Sequence, residues 1–211
     1  RNYVVQNSCS SNHREAGRWY VRGFLFESFE TVLLALVVFL VFQASFQNFR
    51  VDGLSMDPTL THGQYLLVNK LVYEPIPFNA EDNPVVQWGL VNLHPPRHGE
   101  VIVFHEPSQD SDFVKRIIGV PGDILEMRSG VVYVNGFALQ ESYVETRGRS
   151  NLPPEVVQKG YYFVLGDNRS ASYDSRELGP IPLENVVGKA WFTYWPISDM
   201  DILGAGLALI R

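Results

Sequence analysis

An uncharged stretch of membrane length dominates the first quarter of the sequence. The 19 residues from Thr31 to Phe49, TVLLALVVFLVFQASFQNF, lie between Glu30 and Arg50 and carry no charge. As an α-helix at ~1.5 Å per residue, the stretch would be roughly 28 Å long, close to the ~30 Å of a bilayer's hydrocarbon core. Its apolar residues surround the helix, which favours a membrane span over a buried core helix. We therefore assign residues 29–49 to a transmembrane anchor.

Basic residues are distributed unevenly around this anchor. Three arginines lie within the 15 residues before it: Arg14, Arg18 and Arg22. After it, Arg50 is offset by Asp52 and Asp57. The positive-inside rule predicts that residues 1–28 form a cytoplasmic segment and that residues 50–211 form a domain on the outer face of the membrane. A plasma membrane and a thylakoid membrane would both fit this pattern.

A cleaved signal peptide is the alternative to an uncleaved anchor. Signal-peptide cleavage requires small residues at two positions that are separated by one residue. Ala44 is small, but Phe42, two positions earlier, is bulky. We therefore expect the anchor to remain uncleaved.

After residue 50 the sequence changes to short runs rich in Val, Ile, Tyr and Phe, separated by Pro and Gly. Six runs are predicted to form strands: 64–73, 100–106, 113–120, 123–136, 160–167 and 186–196. The segment RSGVVYVNG, residues 128–136, is typical of a hairpin, with one turn at Ser-Gly and another at Asn-Gly. No long amphipathic helical pattern interrupts these runs. We therefore predict a mainly β domain, an antiparallel sandwich or irregular barrel, behind one N-terminal transmembrane helix.

Two segments of the outer domain leave alternatives open. Residues 74–96 form a Pro-rich insertion that carries Phe78 and Trp88, and this loop is either functional, lying on the membrane, or an ordinary covered loop. The C-terminal run ILGAGLALI, residues 202–210, is too short to span a bilayer. It is an edge strand, a packed tail or the start of a second helix.

Composition excludes several classes of function. The formal net charge is −6, and no Lys/Arg cluster offers a basic stripe, so we expect no nucleic-acid partner. Cys9 is the single cysteine, which excludes an intrachain disulfide and a cysteine-based zinc site. His94 and His98 have metal-ligand spacing, but Pro95 and Pro96 prevent the helix that this spacing needs. We expect neither a metal nor another cofactor, and oligomeric state stays open.

Lys115 lies in an unusual setting for a lysine. In DFVKRIIGVPGD, residues 112–123, the alternation of a strand places Lys115 on one face and Arg116 on the other. Both faces carry apolar neighbours, so at least one cation is expected in an apolar environment. A desolvated lysine has a lowered pKa and can act as a general base near neutral pH. The alternative is a lysine whose ammonium reaches water.

Two polar segments could supply partners for such a base. Ser55 lies in VDGLSMDPTL, residues 51–60, next to glycine and proline, and could be either an exposed nucleophile or a turn residue. The segment GDNRSASYDSRELGPI, residues 166–181, is either a solvated loop or a hydrogen-bond network. A serine needs an adjacent base to become a nucleophile, and Ser-Lys is a known alternative to Ser-His-Asp.

With these residues in view, the chain strongly resembles the bacterial-type type I signal peptidases, membrane-anchored serine proteases of the Ser-Lys type. The resemblance covers residues 29–196 and rests on four ordered segments: VDGLSMDPTL, RHGEVIVF, DFVKRIIGVPGD and GDNRSASYDSRELGPI. It implies an endopeptidase that removes signal peptides from exported preproteins and cuts after a small-x-small motif. It also implies that Ser55 follows the anchor closely because the substrate's cleavage site emerges just above the bilayer.

The resemblance implies a role for each matching residue. Ser55 is the expected nucleophile, which forms an acyl-enzyme, and Lys115 is the expected general base. Ser172 matches the serine that hydrogen-bonds the lysine amine, and Asp174 and Arg176 match the pair that braces the loop. RHGEVIVF carries His98, which we interpret as structural.

The chain departs from part of the family before the nucleophile. Some members place a serine there whose hydroxyl completes the oxyanion hole, whereas this chain has Gly53, as other members do. The Ser55 N–H is one expected oxyanion donor, and the second donor is not identified by the sequence. Apolar residues expected to line shallow substrate pockets are Met56, Val51, Leu54, Ile102, Val114 and Ile118.

Two alternatives belong to different classes. Self-cleaving repressors of the DNA-damage response resemble this fold and use Ser-Lys, but they lack a membrane span. An anchored β domain that only binds partners would need no lysine with a lowered pKa.

Overall fold

The structure is a computed structural model that describes the backbone of residues 12–73, 94–204 and 208–209 and the side chains of residues 27–73 and 94–204. The chain divides into two compact units, residues 1–44 and 45–211. The predicted insertion at residues 74–96 lies almost entirely outside the described residues.

The N-terminal unit is dominated by one helix. Helix α1 spans Asn12–Ser45, and its segment Glu27–Ser45 is long and apolar enough to cross a membrane by length and composition. The expectation of a helix up to Phe49 is wrong for the last four residues. Phe46–Arg50 instead form a strand, because their backbone groups pair with residues 65–69 and the polar Gln47 and Asn48 lie in that strand.

Thirteen strands and one short helix make up the described part of the second unit. The strands are β1 Phe46–Arg50, β2 Tyr65–Asn69, β3 Val101–Glu106, β4 Ser111–Gly119, β5 Ile124–Arg128, β6 Val131–Val134, β7 Phe137–Gln140, β8 Leu152–Val156, β9 Tyr161–Leu165, β10 Ile181–Pro182, β11 Val186–Trp195, β12 Asp201–Ile202 and β13 Ala208–Leu209. The short helix α2 spans Ser175–Leu178. A 3-10 turn, Leu71–Tyr73, follows β2, so the predicted strand 64–73 ends early.

The strands form two antiparallel sheets, which confirms the predicted mainly β fold. One sheet has the order β1-β2-β11-β3-β4-β9-β10 with β12 on β11, and the other has the order β13-β7-β6-β5-β8. The predicted hairpin is β5–β6, and Ser129 and Gly130 have positive φ at its turn. Asn135 and Gly136 also have positive φ, at the turn into β7, as Asn-Gly turns require.

A shared core joins the two sheets. Buried residues from β4 and β9 in the first sheet pack with residues from β5, β6 and β7 in the second: Ile118, Phe163, Leu165, Leu125, Met127, Val132, Val134 and Leu139. Strand β4 lies between β3 and β9, inside its sheet. Side chains on β4 are therefore well placed to be desolvated.

The C-terminal run settles on strands where the structure describes it. β12 pairs with β11 at Ile202, and β13 pairs with β7. Of the three alternatives for this run, the edge strand is the one observed at these positions.

Candidate active site

Ser55 lies on a short turn that follows β1. Gly53, two residues earlier, has φ of +105°, which an L side chain rarely adopts, and no atom lies within 4 Å of where its Cβ would be. Met56, directly after Ser55, is buried in the core, and its carbonyl accepts a hydrogen bond from the Leu60 N–H. The Ser55 carbonyl accepts a hydrogen bond of 3.0 Å from the Asn168 N–H. The core and a second loop thus hold the turn, while the half-buried Ser55 hydroxyl stays accessible.

The structure brings Ser55 and Lys115 into contact. Lys115 Nζ lies 2.8 Å from Ser55 Oγ and donates to the Val114 carbonyl at 3.0 Å. The ammonium position is 5.3 Å from the centre of the Phe113 ring. Lys115 is only 2% exposed. A serine hydroxyl and a lysine amine 60 residues apart in sequence therefore share one partly buried hydrogen bond.

The surroundings of Lys115 favour the neutral amine. Burial lowers the pKa of Lys115 to about 8, although the Asp174 and Asp167 carboxylates act in the opposite direction. Neither carboxylate is within hydrogen-bonding distance of Nζ, so desolvation outweighs their attraction. An amine with this pKa can accept a proton at neutral to slightly alkaline pH.

Asp174 and Arg176 form an ion pair within the loop at residues 166–176. Arg176 donates to both carboxylate oxygens of Asp174, with Nε–Oδ1 of 2.8 Å and Nη2–Oδ2 of 2.9 Å. Asp174, fully buried, also caps α2 and accepts a hydrogen bond from the Gly166 N–H. Arg176 further donates to the carbonyls of Arg169 and Ser172. One ion pair thus fixes the backbone of the whole loop.

Ser172 does not make the hydrogen bond to Lys115 that the resemblance implies. Its hydroxyl oxygen is buried and has no hydrogen-bond partner among the described residues. Gly166 explains its position: a Cβ at Gly166 would lie 2.2 Å from Ser172 Oγ and 2.4 Å from the Ser55 carbonyl oxygen. Only glycine allows the two segments to approach so closely. The sequence reasoning did not single out Gly166, and its place at the start of the polar loop was the available signal.

Arg116 occupies the opposite face of β4 from Lys115. Its guanidinium binds both oxygens of Asp167, with Nε–Oδ1 of 2.8 Å and Nη2–Oδ2 of 2.6 Å, and donates to the Gly99 carbonyl at 2.8 Å. The guanidinium carbon lies 4.1 Å from the centre of the Tyr143 ring. Arg169 and Glu141 form a second buried ion pair. The sequence did not predict either pair, because it does not show which acid contacts which base.

A small cleft opens beside the Ser55–Lys115 pair. It has a volume of about 130 Å³, and its apolar wall consists of Phe49, Val51, Leu66, Val103, Phe113 and Val114. Asp52, Asp112 and Arg50 supply its charged part. Of the predicted pocket residues, Val51 and Val114 line this cleft. The other four do not: Met56, Ile102 and Ile118 are buried in separate parts of the core, and Leu54 is 56% exposed.

The backbone N–H groups near Ser55 differ in their bonding. The Ser55 N–H has no hydrogen-bond acceptor within the described parts of the chain, so it is available to a ligand. The Gly53 N–H donates to Nδ1 of His62 at 3.2 Å. Gly53 therefore has a partner of its own, which the sequence reasoning did not foresee.

His98 contacts a carboxylate away from the Ser55–Lys115 pair. His98 Nε2 is 2.6 Å from Asp123 Oδ2, at the turn between the two sheets, which fits its expected structural role. No group of three or more His, Cys, Asp or Glu close enough to hold a metal ion occurs among the described residues.

Comparisons with known proteins agree on one family. The family model described as signal peptidase, peptidase S26, matches residues 25–195. Signal peptidase I of Leptolyngbya laminosa is 33% identical over 189 residues, which cover 85% of this chain and 84% of that protein. Signal peptidase I of Bacillus caldolyticus is 36% identical over 173 residues, 73% of this chain and 82% of that protein.

A plant protein is also similar. Thylakoidal processing peptidase 1, chloroplastic, of Arabidopsis thaliana is 33% identical over 176 residues. The match covers 83% of this chain and 50% of the plant protein.

Proposed function

Because the chain belongs to the signal peptidase family, peptidase S26, we propose that it cleaves preproteins through a dyad of Ser55 and Lys115. Family membership makes it a serine endopeptidase that removes signal peptides. The observation that carries the proposal is the 2.8 Å contact between Nζ of the buried Lys115 and Oγ of the half-buried Ser55. A neutral amine at this distance can take the serine proton in a single step.

The proposed reaction forms an acyl-enzyme. The neutral Lys115 amine accepts the proton of the Ser55 hydroxyl as Oγ attacks the carbonyl carbon of the scissile bond. The tetrahedral intermediate collapses, the C–N bond breaks, and the Lys115 ammonium gives its proton to the leaving amine. Lys115, again neutral, takes a proton from a water that attacks the Ser55 ester, and it returns this proton to Ser55 Oγ as the ester breaks.

The oxyanion of each tetrahedral intermediate needs hydrogen-bond donors. The Ser55 N–H is the proposed first donor, because it belongs to the nucleophile itself and has no acceptor within the described residues. The proposed role of the Asp174–Arg176 pair is to keep the loop at residues 166–176 against Ser55 and Lys115. The unpartnered Ser172 hydroxyl is then available to hydrogen-bond the neutral Lys115 amine.

The size of the cleft supports cleavage after a small-x-small motif. A cleft of about 130 Å³ with an apolar wall has room for small side chains and excludes large ones. Val51 and Val114 contribute to this wall close to the nucleophile. We propose that the small residues before the scissile bond bind here.

The apolar helix supports a membrane location. We propose that α1 crosses a lipid bilayer through its segment Glu27–Ser45, with the residues before Glu27 in the cytoplasm and the domain that follows, residues 50–211, on the outer face. This orientation is supported by the three arginines shortly before the span, Arg14, Arg18 and Arg22. A plasma membrane is the proposed site, and the similarity to a thylakoidal peptidase keeps a thylakoid membrane as the alternative.

Cleavage of a purified preprotein in detergent tests the proposal. The wild type should cut once, after a small-x-small motif identified by mass spectrometry, and Ser55→Ala and Lys115→Ala should fold but not cut. Ser108→Ala and Lys159→Ala, both at exposed positions, are the matched controls and should cut normally. An inactive wild type, activity in either dyad variant, or inactivation by a chelator with recovery in zinc would contradict the proposal.

A further inference from the structure

We propose that His62 is a positioning residue that holds the Ser55 turn in its reactive geometry. His62 lies outside the dyad and its brace. The inference rests on the proposed function, because it concerns how the same turn is kept in place.

The turn that carries His62 is hydrogen-bonded internally and to the Ser55 segment. The Gln64 N–H donates to the Thr61 carbonyl, and Gly63 has φ of +90°, as the third residue of a type II turn requires. The Gln64 side chain caps the turn by accepting from the Thr61 N–H and donating to Asp199. The Gly63 N–H donates to the Val51 carbonyl at 2.9 Å, and the Val51 N–H donates to the Gln64 carbonyl at 2.8 Å.

From this turn, the His62 side chain reaches Gly53, in the segment that carries the nucleophile. Its Nδ1 accepts the Gly53 N–H at 3.2 Å. Gly53 has positive φ, and nothing lies within 4 Å of where its Cβ would be, so no side-chain packing restrains it. Gly53 is two residues before Ser55. A hydrogen bond that fixes Gly53 therefore fixes the direction from which Ser55 approaches Lys115.

The same His62 nitrogen has a competing partner. Nδ1 is also 3.2 Å from Oδ1 of Asp52, which is 92% exposed. One ring nitrogen either accepts from the Gly53 N–H with its lone pair or carries a proton and donates to Asp52. Among the described residues, the charged groups that contact this turn are Asp52, on the Ser55 segment, and Asp199, beside Gln64.

Protonation of His62 therefore releases Gly53. The neutral ring holds the Gly53 N–H, and the imidazolium turns to Asp52 and leaves that N–H without an acceptor. An imidazole changes its charge between pH 5 and 8. The looser turn is expected to lower kcat about tenfold, because small misplacements of reacting groups reduce rates strongly.

Three variants separate this role from a merely structural one. His62→Asn places an amide oxygen that accepts from Gly53 but does not titrate, whereas His62→Ala offers no acceptor. We expect His62→Ala to have about tenfold lower kcat at pH 9 with KM little changed, and His62→Asn to restore most of that activity. His105→Asn removes another half-exposed histidine and its carboxylate contact, and serves as the control.

The pH profile gives the sharper test. The ratio of wild-type to His62→Asn kcat/KM should be close to 1 at pH 9 and fall to about one tenth at pH 5.5, while the ratio of wild type to His105→Asn stays constant. Dividing the two profiles cancels the titration of the catalytic base. A constant ratio for His62→Asn, or full activity of His62→Ala at pH 9, would overturn the role of His62.

A readout without turnover keeps this inference distinct from the proposed function. Asp52–Gly53 is the one Asp-Gly pair in the sequence, so 13C-carbonyl-Asp and 15N-Gly labelling selects the Gly53 amide of the full chain in detergent. Its resonance should shift with the titration of His62 and should not shift in His62→Asn. If the chemical shift of the wild-type Gly53 amide does not change with pH, the inference is contradicted even if the enzyme is active. If the wild type is inactive but its Gly53 amide shifts with pH and that of His62→Asn does not, only the proposed function is contradicted.

Discussion

The two faces of β4 offer neighbouring cations different partners. Lys115 and Arg116 are adjacent, and each is 2% exposed. Arg116 faces Asp167, which binds its guanidinium through two hydrogen bonds. Lys115 contacts a serine hydroxyl, a carbonyl and an aromatic ring, and no carboxylate is within hydrogen-bonding distance. Burial is thus the same on both faces, and the difference is that a carboxylate binds Arg116 and none binds Lys115.

The largest effect should come from replacing Lys115 with a residue that stays positively charged. Lys115→Arg should lower kcat/KM on the order of 10⁴-fold or more, because a guanidinium does not release its proton and cannot act as the base. Preprotein cleavage by the purified variant measures the loss. Arg116→Lys on the other face is the matched control and should retain activity within about tenfold of the wild type. Comparable loss in both variants would contradict the division between the two faces.

The second-largest effect should be a loss of stability when Arg116, on the opposite face of β4, is replaced. Arg116→Met leaves Asp167 buried without its partner, and we expect a loss of about 3–5 kcal/mol in the free energy of unfolding. Chemical denaturation of the detergent-solubilised chain measures it. Arg128→Met removes an exposed pair with Glu126 and should leave the unfolding midpoint almost unchanged.

A double variant separates charge from packing. Arg116→Met with Asp167→Leu removes both charges and should recover most of the lost stability, since only an unpaired buried charge is costly. A double variant as unstable as Arg116→Met alone would show that packing, rather than the ion pair, explains the loss.

A smaller effect should appear in the pH dependence of stability. The folded-state pKa of Lys115, about 8, lies below the ordinary value of 10.5. Between these pH values the unfolded chain binds more protons than the folded chain, so stability rises with pH. Relative to Lys115→Met, the wild type should gain about 3 kcal/mol between pH 8 and pH 10.5, and the difference should be flat below pH 8. A difference that stays flat to pH 10.5 would mean that Lys115 is not desolvated.

The smallest effect is expected at Ser172. Its hydroxyl has no partner within the described residues, so Ser172→Ala should leave the free energy of unfolding within about 0.5 kcal/mol of the wild type. Activity should fall about fivefold to tenfold, the value of one hydrogen bond to the neutral Lys115 amine. Unchanged kcat would exclude Ser172 from the reaction, and Ser172→Thr provides a comparison that keeps the hydroxyl.

Local pattern was enough to predict much of the fold. Alternation in DFVKRIIG correctly separates Lys115 from Arg116, and Ser129-Gly130 and Asn135-Gly136 correctly mark both turns of the hairpin. These features depend on neighbours in sequence, which a single chain shows directly. The end of α1 was predicted four residues late, because only pairing with β2 reveals that Phe46 begins a strand.

The candidate site was less predictable where it depends on distant contacts. On β3, four successive residues are buried, so both faces of the strand are apolar. The sequence therefore does not show which face meets the cleft, and it is Val103 rather than the predicted Ile102 that lines it. The close approach of Gly166 to the Ser55 carbonyl, and the bond between Gly53 and His62, arise from loops that only the fold brings together.

Direct titration of Lys115 is the measurement that tests the central claim most closely. The four lysines, Lys70, Lys115, Lys159 and Lys189, can be followed by NMR of the full chain in detergent after 13Cε-lysine labelling, with Lys115 assigned through Lys115→Arg. We predict one lysine with a titration midpoint near pH 8, which disappears in that variant. A Lys115 that titrates with the other lysines above pH 10 would contradict its role as the base of Ser55.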